Sequence, residues 1–175
     1  MERTQQTRRL VFTAVFAALI FAATYAVKIP TFTGGYVHPG DAVLILGACF
    51  LGPWLGALAG GVGSALTDLA GGYLVFVPGT LVIKALMGLL CGGILRRAKR
   101  GGAAVVIAAA VAAEVIMILG YFGYEAVFLK FGLGAAASIP ANIGQGIFGA
   151  AAGTALYLAL RKTPAWRRMK QGRRD

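Results

Sequence analysis

Acidic side chains are scarce in this chain: Asp and Glu together number 6 of 175 residues, against 17 Lys and Arg. Charged residues of both signs make up 13% of the sequence, about half the roughly 25% usual in a soluble domain, which excludes that class. There is one histidine, His38, and only two cysteines, Cys49 and Cys91, both set in apolar runs. Neither a disulfide framework nor a metal-ligand spacing can be built from them. No H-E-x-x-H and no G-x-S-x-G occurs, so enzymatic chemistry has little support, although Asp41 and Asp68 leave a membrane aspartyl hydrolase open. There is no G-x-x-x-x-G-K-[ST] phosphate loop, and the chain is not expected to hydrolyse ATP itself. Nor is an internal repeat visible, and the length is small for a carrier built on paired inverted repeats.

Apolar residues supply what is missing elsewhere. They form 58% of the chain, and the mean hydropathy is +0.76, which reads as an integral membrane protein. At about 20 residues per span, 175 residues allow six spans in one domain. The expected fold is therefore all-α, a single bundle of six transmembrane helices over residues 1–175. Spans fall near residues 10–27, 41–51, 53–70, 79–95, 102–129 and 139–160. The net charge of +11 maps onto this topology. Basic residues cluster in the N-terminus (residues 1–9), the middle loop (96–100) and the tail (161–175), which all fall on one side. The positive-inside rule places both termini in the cytoplasm of a multi-pass protein of the cell membrane. The basic tail then suits anionic membrane lipid or a cytoplasmic partner, and nucleic acid is not an expected partner. The first apolar run continues to Val27 and further spans follow, so it reads as a span and not as a signal peptide.

The stretch from Gly34 to Tyr73, GGYVHPGDAVLILGACFLGPWLGALAGGVGSALTDLAGGY, reads as a helical hairpin turning at Gly52-Pro53. Gly56, Gly60, Gly61 and Gly63 keep its second arm thin, as close helix packing in lipid requires. Asp41 opens the first arm and Asp68 closes the second, so both acids lie at one membrane face. The preceding loop, KIPTFTGGYVHP, has two prolines and a Gly-Gly pair and reads as a jointed lid carrying Tyr36 and His38. Tyr73 lies in the following external loop. On the first span, Ala14, Ala18 and Ala22 recur at four-residue intervals and give a flat stripe on which another helix can dock, within this bundle or outside it.

The remaining polar groups gather at that same outer level. Lys84 lies about a turn into the fourth span, and Tyr121, Tyr124 and Glu125 lie near the outer end of the fifth. Asn142 and Gln145 lie early in the sixth. Charges at such depth need partners or water and mark candidate sites. Glu114, Ile118, Tyr121 and Glu125 share one helical stripe, and Ser138, Asn142, Gln145 and Gly149 share another. An outward-open pocket between spans four, five and six, capped by the loops, accounts for all of them. The alternative is structural: Lys84 pairs with Glu125 or Asp68 to offset its own burial, and the amides are interhelical glue. Glu114, deepest of the set, is either pocket floor or packing partner.

The chain resembles the substrate-binding S components of energy-coupling factor (ECF) vitamin transporters, especially the riboflavin-type and hydroxymethylpyrimidine-type group. The resemblance rests on six short spans, on the hairpin sequence followed by Pro78-Gly79-Thr80 and Ile83-Lys84, and on the span-one alanines. It implies a subunit without cofactor or catalysis that binds a small vitamin in an external pocket. It further implies that Ala14, Ala18 and Ala22 dock on a transmembrane coupling protein driven by two cytoplasmic ATPases. Substrate-binding candidates are Tyr36, His38, Asp41, Asp68, Tyr73, Lys84, Tyr121, Tyr124, Glu125, Asn142 and Gln145. A pocket combining Lys84, Asp68 or Glu125, tyrosines and side-chain amides suits a small hydroxylated ring, pyridoxine- or hydroxymethylpyrimidine-like. Riboflavin stays open, as does pantothenate, whose carboxylate Lys84 could take. The rival from another class is an autonomous small channel or carrier, which requires a polar path through the inner half of the bundle.

Overall fold

A computed structural model describes residues 2–98, 102–164 and 166. Most of the basic tail, and the middle-loop residues 99–101, lie outside the described residues. Within them the chain is a bundle of six helices: α1 (Glu2–Ala26), α2 (Gly40–Leu51), α3 (Pro53–Gly71), α4 (Val77–Arg97), α5 (Ala103–Gly123) and α6 (Ile139–Leu160). α1, α4, α5 and α6 belong to stretches long and apolar enough to cross a membrane. The helix α2 has 12 residues, about 18 Å of axis against a hydrocarbon core of about 30 Å, so it penetrates without crossing alone.

This short helix is the centre of the bundle. Ten of its 12 residues are buried, and it packs against α1, α3, α4 and α6. A helix apolar all round is stable only when surrounded, and its sequence LILGACFL supplies no polar face. Around it α3 lies between α1 and α4, and α5 lies between α4 and α6. The reversal from α2 to α3 occupies one residue. Gly52 takes φ 80° and ψ −172°, open only to glycine, and Pro53 starts α3 with its φ already helical. The close approach of α3 and α4 depends on Gly56 and Gly88: a Cβ on Gly88 would lie 2.6 Å from the Gly56 carbonyl carbon. Small residues exchange side-chain bulk for backbone contact there.

The two ends of the bundle differ. At the end where α2 begins, the α1–α2 connection folds back as a β-hairpin, not as an irregular loop. Its strands β1 (Ile29–Pro30) and β2 (Tyr36–Val37) pair antiparallel, Ile29 opposite Val37 and Pro30 opposite Tyr36. Thr31 N–H donates to the Gly35 carbonyl at 2.9 Å, and Gly34 supplies the left-handed residue of the turn at φ 81°. The fifth helix continues as a π-helical turn, Tyr124–Phe128, and a 3-10 segment, Gly132–Ser138, leads into α6. At the opposite end Phe50 packs on Phe12, Phe16 and Trp166, with ring centroids 5.3, 5.5 and 4.8 Å away, and Tyr157 closes on Trp166. Among the described residues this end of the bundle is therefore closed by aromatic packing and not by polar groups.

Candidate binding site

The cavity lies under the β-hairpin. Its walls are Thr31, Gly35, Tyr36 and His38 from the hairpin segment, Asp68 from α3, Phe76 and Thr80 at the start of α4, Tyr121 and Glu125 from the fifth helix and its π-turn, and Asn142 and Gln145 from α6. Helix periodicity brings them to one place. Thr80 and Lys84 are one turn apart on α4, as are Tyr121 and Glu125 on their element, and Asn142 and Gln145 on α6. The space between the walls is about 390 Å³ when counted out to solvent. Its enclosed part holds about one or two water molecules, so any larger ligand must part the walls.

Below the cavity is a buried polar cluster. Lys84 Nζ donates to Asp41 Oδ1 at 2.5 Å, with the two side chains 0% and 1% exposed. The partner is Asp41, and not the Glu125 or Asp68 of the structural alternative. The cause is the rise of α2 through the bundle centre, which sets the first turn of that helix beside α4. Gln145 completes the cluster by donating from Nε2 to Asp41 Oδ2 at 2.6 Å. Its Oε1 accepts from the His38 backbone N–H at 2.8 Å, so one amide joins the ion pair to the hairpin segment. Glu114 is also deep, 4% exposed, and neither of its oxygens has a hydrogen-bond partner. Its carboxyl occupies the room left by Gly146 and Gly149 on α6, and it does not line the cavity.

The hairpin is tied to the helices by side-chain bonds. Tyr36 Oη donates to Asp68 Oδ1 at 2.6 Å, and Thr33 Oγ1 donates to Glu125 Oε1 at 3.2 Å. The second oxygens, Asp68 Oδ2 and Glu125 Oε2, are buried without a hydrogen bond of good geometry. Thr80 and Tyr121 share a hydroxyl bond of 2.9 Å. Burial, reinforced by the neighbouring Asp68 carboxylate, raises the Tyr36 phenol far above its ordinary range, so it remains a donor at any physiological pH. Loss of solvation lowers His38 to about 3; Asp41 opposes this shift, and the charges of Lys84 and Lys28 add to it. The neutral imidazole accepts at Nδ1 from the Gly40 N–H, 3.1 Å away.

Of the residues singled out in the sequence, Tyr36, His38, Asp68, Tyr121, Glu125, Asn142 and Gln145 meet around the cavity. Asp41 and Lys84 form its underlying ion pair and do not line it. Tyr73 packs behind Tyr36 with centroids 4.5 Å apart and the rings tilted by 52°, outside the lining. Tyr124 turns away to donate to the Val75 carbonyl at 2.6 Å, where it braces the α3–α4 turn. Thr31, Gly35, Phe76 and Thr80 are lining residues that the sequence reading did not select. Thr80 was accessible to it, one turn before Lys84, whereas the hairpin residues needed the strand pairing. Ala14, Ala18 and Ala22 are all exposed on α1, so the stripe is not consumed by packing within this bundle.

A family model described as the ECF-type riboflavin transporter, S component, matches residues 4–162. The chain belongs to that family. A relative from Pyrococcus woesei, described as an uncharacterized protein in the gap 3' region, is 34% identical over 144 residues, covering 82% of this chain and 95% of the relative. As an S component, this chain is a membrane-embedded, multi-pass, substrate-binding subunit of a vitamin transporter that works with an ECF module.

Proposed function

We propose that this S component captures an unphosphorylated, pyridoxine- or hydroxymethylpyrimidine-like ring in the cavity beneath the hairpin, and binds it without turnover. The observation that carries this reading is the chemistry of the lining. Two carboxylates, each with an oxygen lacking a good hydrogen bond, stand with two side-chain amides and aromatic rings, and no Lys or Arg lines the cavity among the described residues. Such a lining favours ring N–H, amino and hydroxyl donors and disfavours anions. Pantothenate loses its attraction because the Lys84 ammonium is already held by Asp41. Riboflavin is the second reading, favoured by the description of the matching family model. It would require a wider opening of the walls.

In this reading Asp68, Glu125, Asn142 and Gln145 read the edge of the ring, and Tyr36, Phe76 and Tyr121 contact its faces. The β-hairpin is the lid. Ala14, Ala18 and Ala22 form the docking face for a transmembrane coupling protein powered by two cytoplasmic ATPases. Against the autonomous channel stands the Phe50 aromatic cluster at the far end, where such a channel would need polar groups.

Mass spectrometry of the small molecule released by denaturing detergent-purified protein is the direct test. A pyridine- or pyrimidine-type vitamin near one per chain is the expected result, and Asn142→Ala should lower its occupancy at least severalfold while the protein stays folded. A flavin would replace the proposed substrate with the second reading. Passive flux through protein-only liposomes without ATP would overturn the binding-subunit reading.

A further inference from the structure

The ammonium of Lys28 sits inside a box of three tyrosines drawn from three different segments. It lies 4.4 Å from the ring centroid of Tyr25 on α1, 4.9 Å from Tyr36 on β2 and 5.3 Å from Tyr73 in the α3–α4 turn. The fourth side of the box is the C-terminal end of α3. There Gly71 has no side chain, and a Cβ would run into the Lys28 nitrogen. Helix C-termini carry partial negative charge and attract a cation, and tyrosine faces do the same through their quadrupoles. Lys28 thus occupies a place shaped for an ammonium, although it lies outside the cavity.

One wall of this box is also a wall of the cavity. Tyr36 turns a face to Lys28, packs on Tyr73 and reaches Asp68 with its hydroxyl. We propose that Lys28 is the latch of the hairpin lid: its cation–π box fixes the Tyr36 ring and thereby the closed position of the cavity wall. Lys28 is a positioning residue, acting on ligand only through Tyr36. The latch deepens the binding-site reading, because a lid matters only if the cavity takes a ligand. Its physical basis does not depend on which ligand that is. Opening the hairpin withdraws Tyr36 from the ammonium and breaks the Tyr36–Asp68 bond in the same movement.

The test uses full-length, ligand-free protein in detergent, with amide hydrogen exchange read over residues 29–37. Lys28→Met keeps the aliphatic stem and removes the charge. It should speed exchange in the hairpin about three- to tenfold, the order expected for loss of a partly exposed cation–π contact, with exchange in α2 and α5 unchanged. Lys28→Arg should restore slow exchange, a rescue that lost packing alone would not produce. Tyr73→Leu, which removes one wall without touching Lys28, should accelerate the same segment and guards against misfolding of the first variant. Hairpin exchange at the wild-type rate in both Lys28→Met and Tyr73→Leu would overturn the latch. If the latch holds but protein-only liposomes show passive flux without ATP, the binding reading has failed and the latch has not.

Discussion

At the residue scale, the decisive arrangement is Asp41 bonded both to Lys84 and to Gln145, with Gln145 in turn holding the backbone of His38. A buried ion pair is expensive to desolvate, and breaking it from one side leaves an uncompensated charge. Lys84→Met should therefore destabilise the protein by roughly 3–5 kcal/mol, a larger effect than a pocket residue would give. Combining it with Asp41→Asn, which removes the orphaned charge and keeps an acceptor for Gln145, should restore more than half of the loss. Thermal unfolding in detergent measures the cycle, and additive losses would show that the two side chains are not coupled. Lys84 was expected to bind substrate because a lone deep lysine attracts that assignment. In the bundle its ammonium is bonded to Asp41, 43 positions away in sequence, and no local spacing connects the two.

The hairpin is the element whose behaviour the site depends on, and His38 gives it a pH signature. In the closed site the His38 imidazole titrates at about 3, against about 6.5 when solvated, because burial removes its water. A depressed histidine favours closure while neutral, so closure is fully supported above pH about 6.5 and weakens as the pH falls toward 3. The slope approaches a factor of ten per pH unit. The charges facing the imidazole are Asp41, which opposes the depression, and Lys84 and Lys28, which deepen it. Ligand affinity measured between pH 8 and 5 should stay level to about pH 6.5 and then fall. His38→Gln should remove the part of the fall not due to the pocket carboxylates. Identical profiles in the two proteins would place His38 outside the linkage.

For the whole molecule, polarity is segregated along the bundle. The cavity and its ion pair are at one end, the aromatic cluster of Phe50, Tyr157 and Trp166 at the other, and the alanine stripe runs exposed along α1. An exposed stripe of methyl groups offers a flat surface without polar groups to desolvate, which suits a helix of a partner within lipid. Ala18→Trp places a large ring in its centre. Uptake with the complete ECF module should be abolished while ligand binding by the isolated subunit is unchanged. Undiminished uptake in that variant would remove the stripe from the partner interface.

Composition and pattern determined the class of this protein: with so few charges and such long continuous apolar runs, helices are what satisfy the backbone in lipid. Helix periodicity also determined which residues share a face, so Tyr121 with Glu125, and Asn142 with Gln145, were legible together before any coordinates. Tertiary structure decided everything that depends on which faces meet. It made α2 a buried central helix, which moved Asp41 beneath the cavity and gave it to Lys84. It paired residues 29–30 with 36–37, which brought Thr31, Gly35 and Tyr36 over the site. It turned Tyr73 toward the Lys28 box and Tyr124 toward the Val75 carbonyl. Periodicity along a chain specifies directions around one helix axis. The partner across the gap is set by packing between helices far apart in sequence, and local spacing carries no record of it.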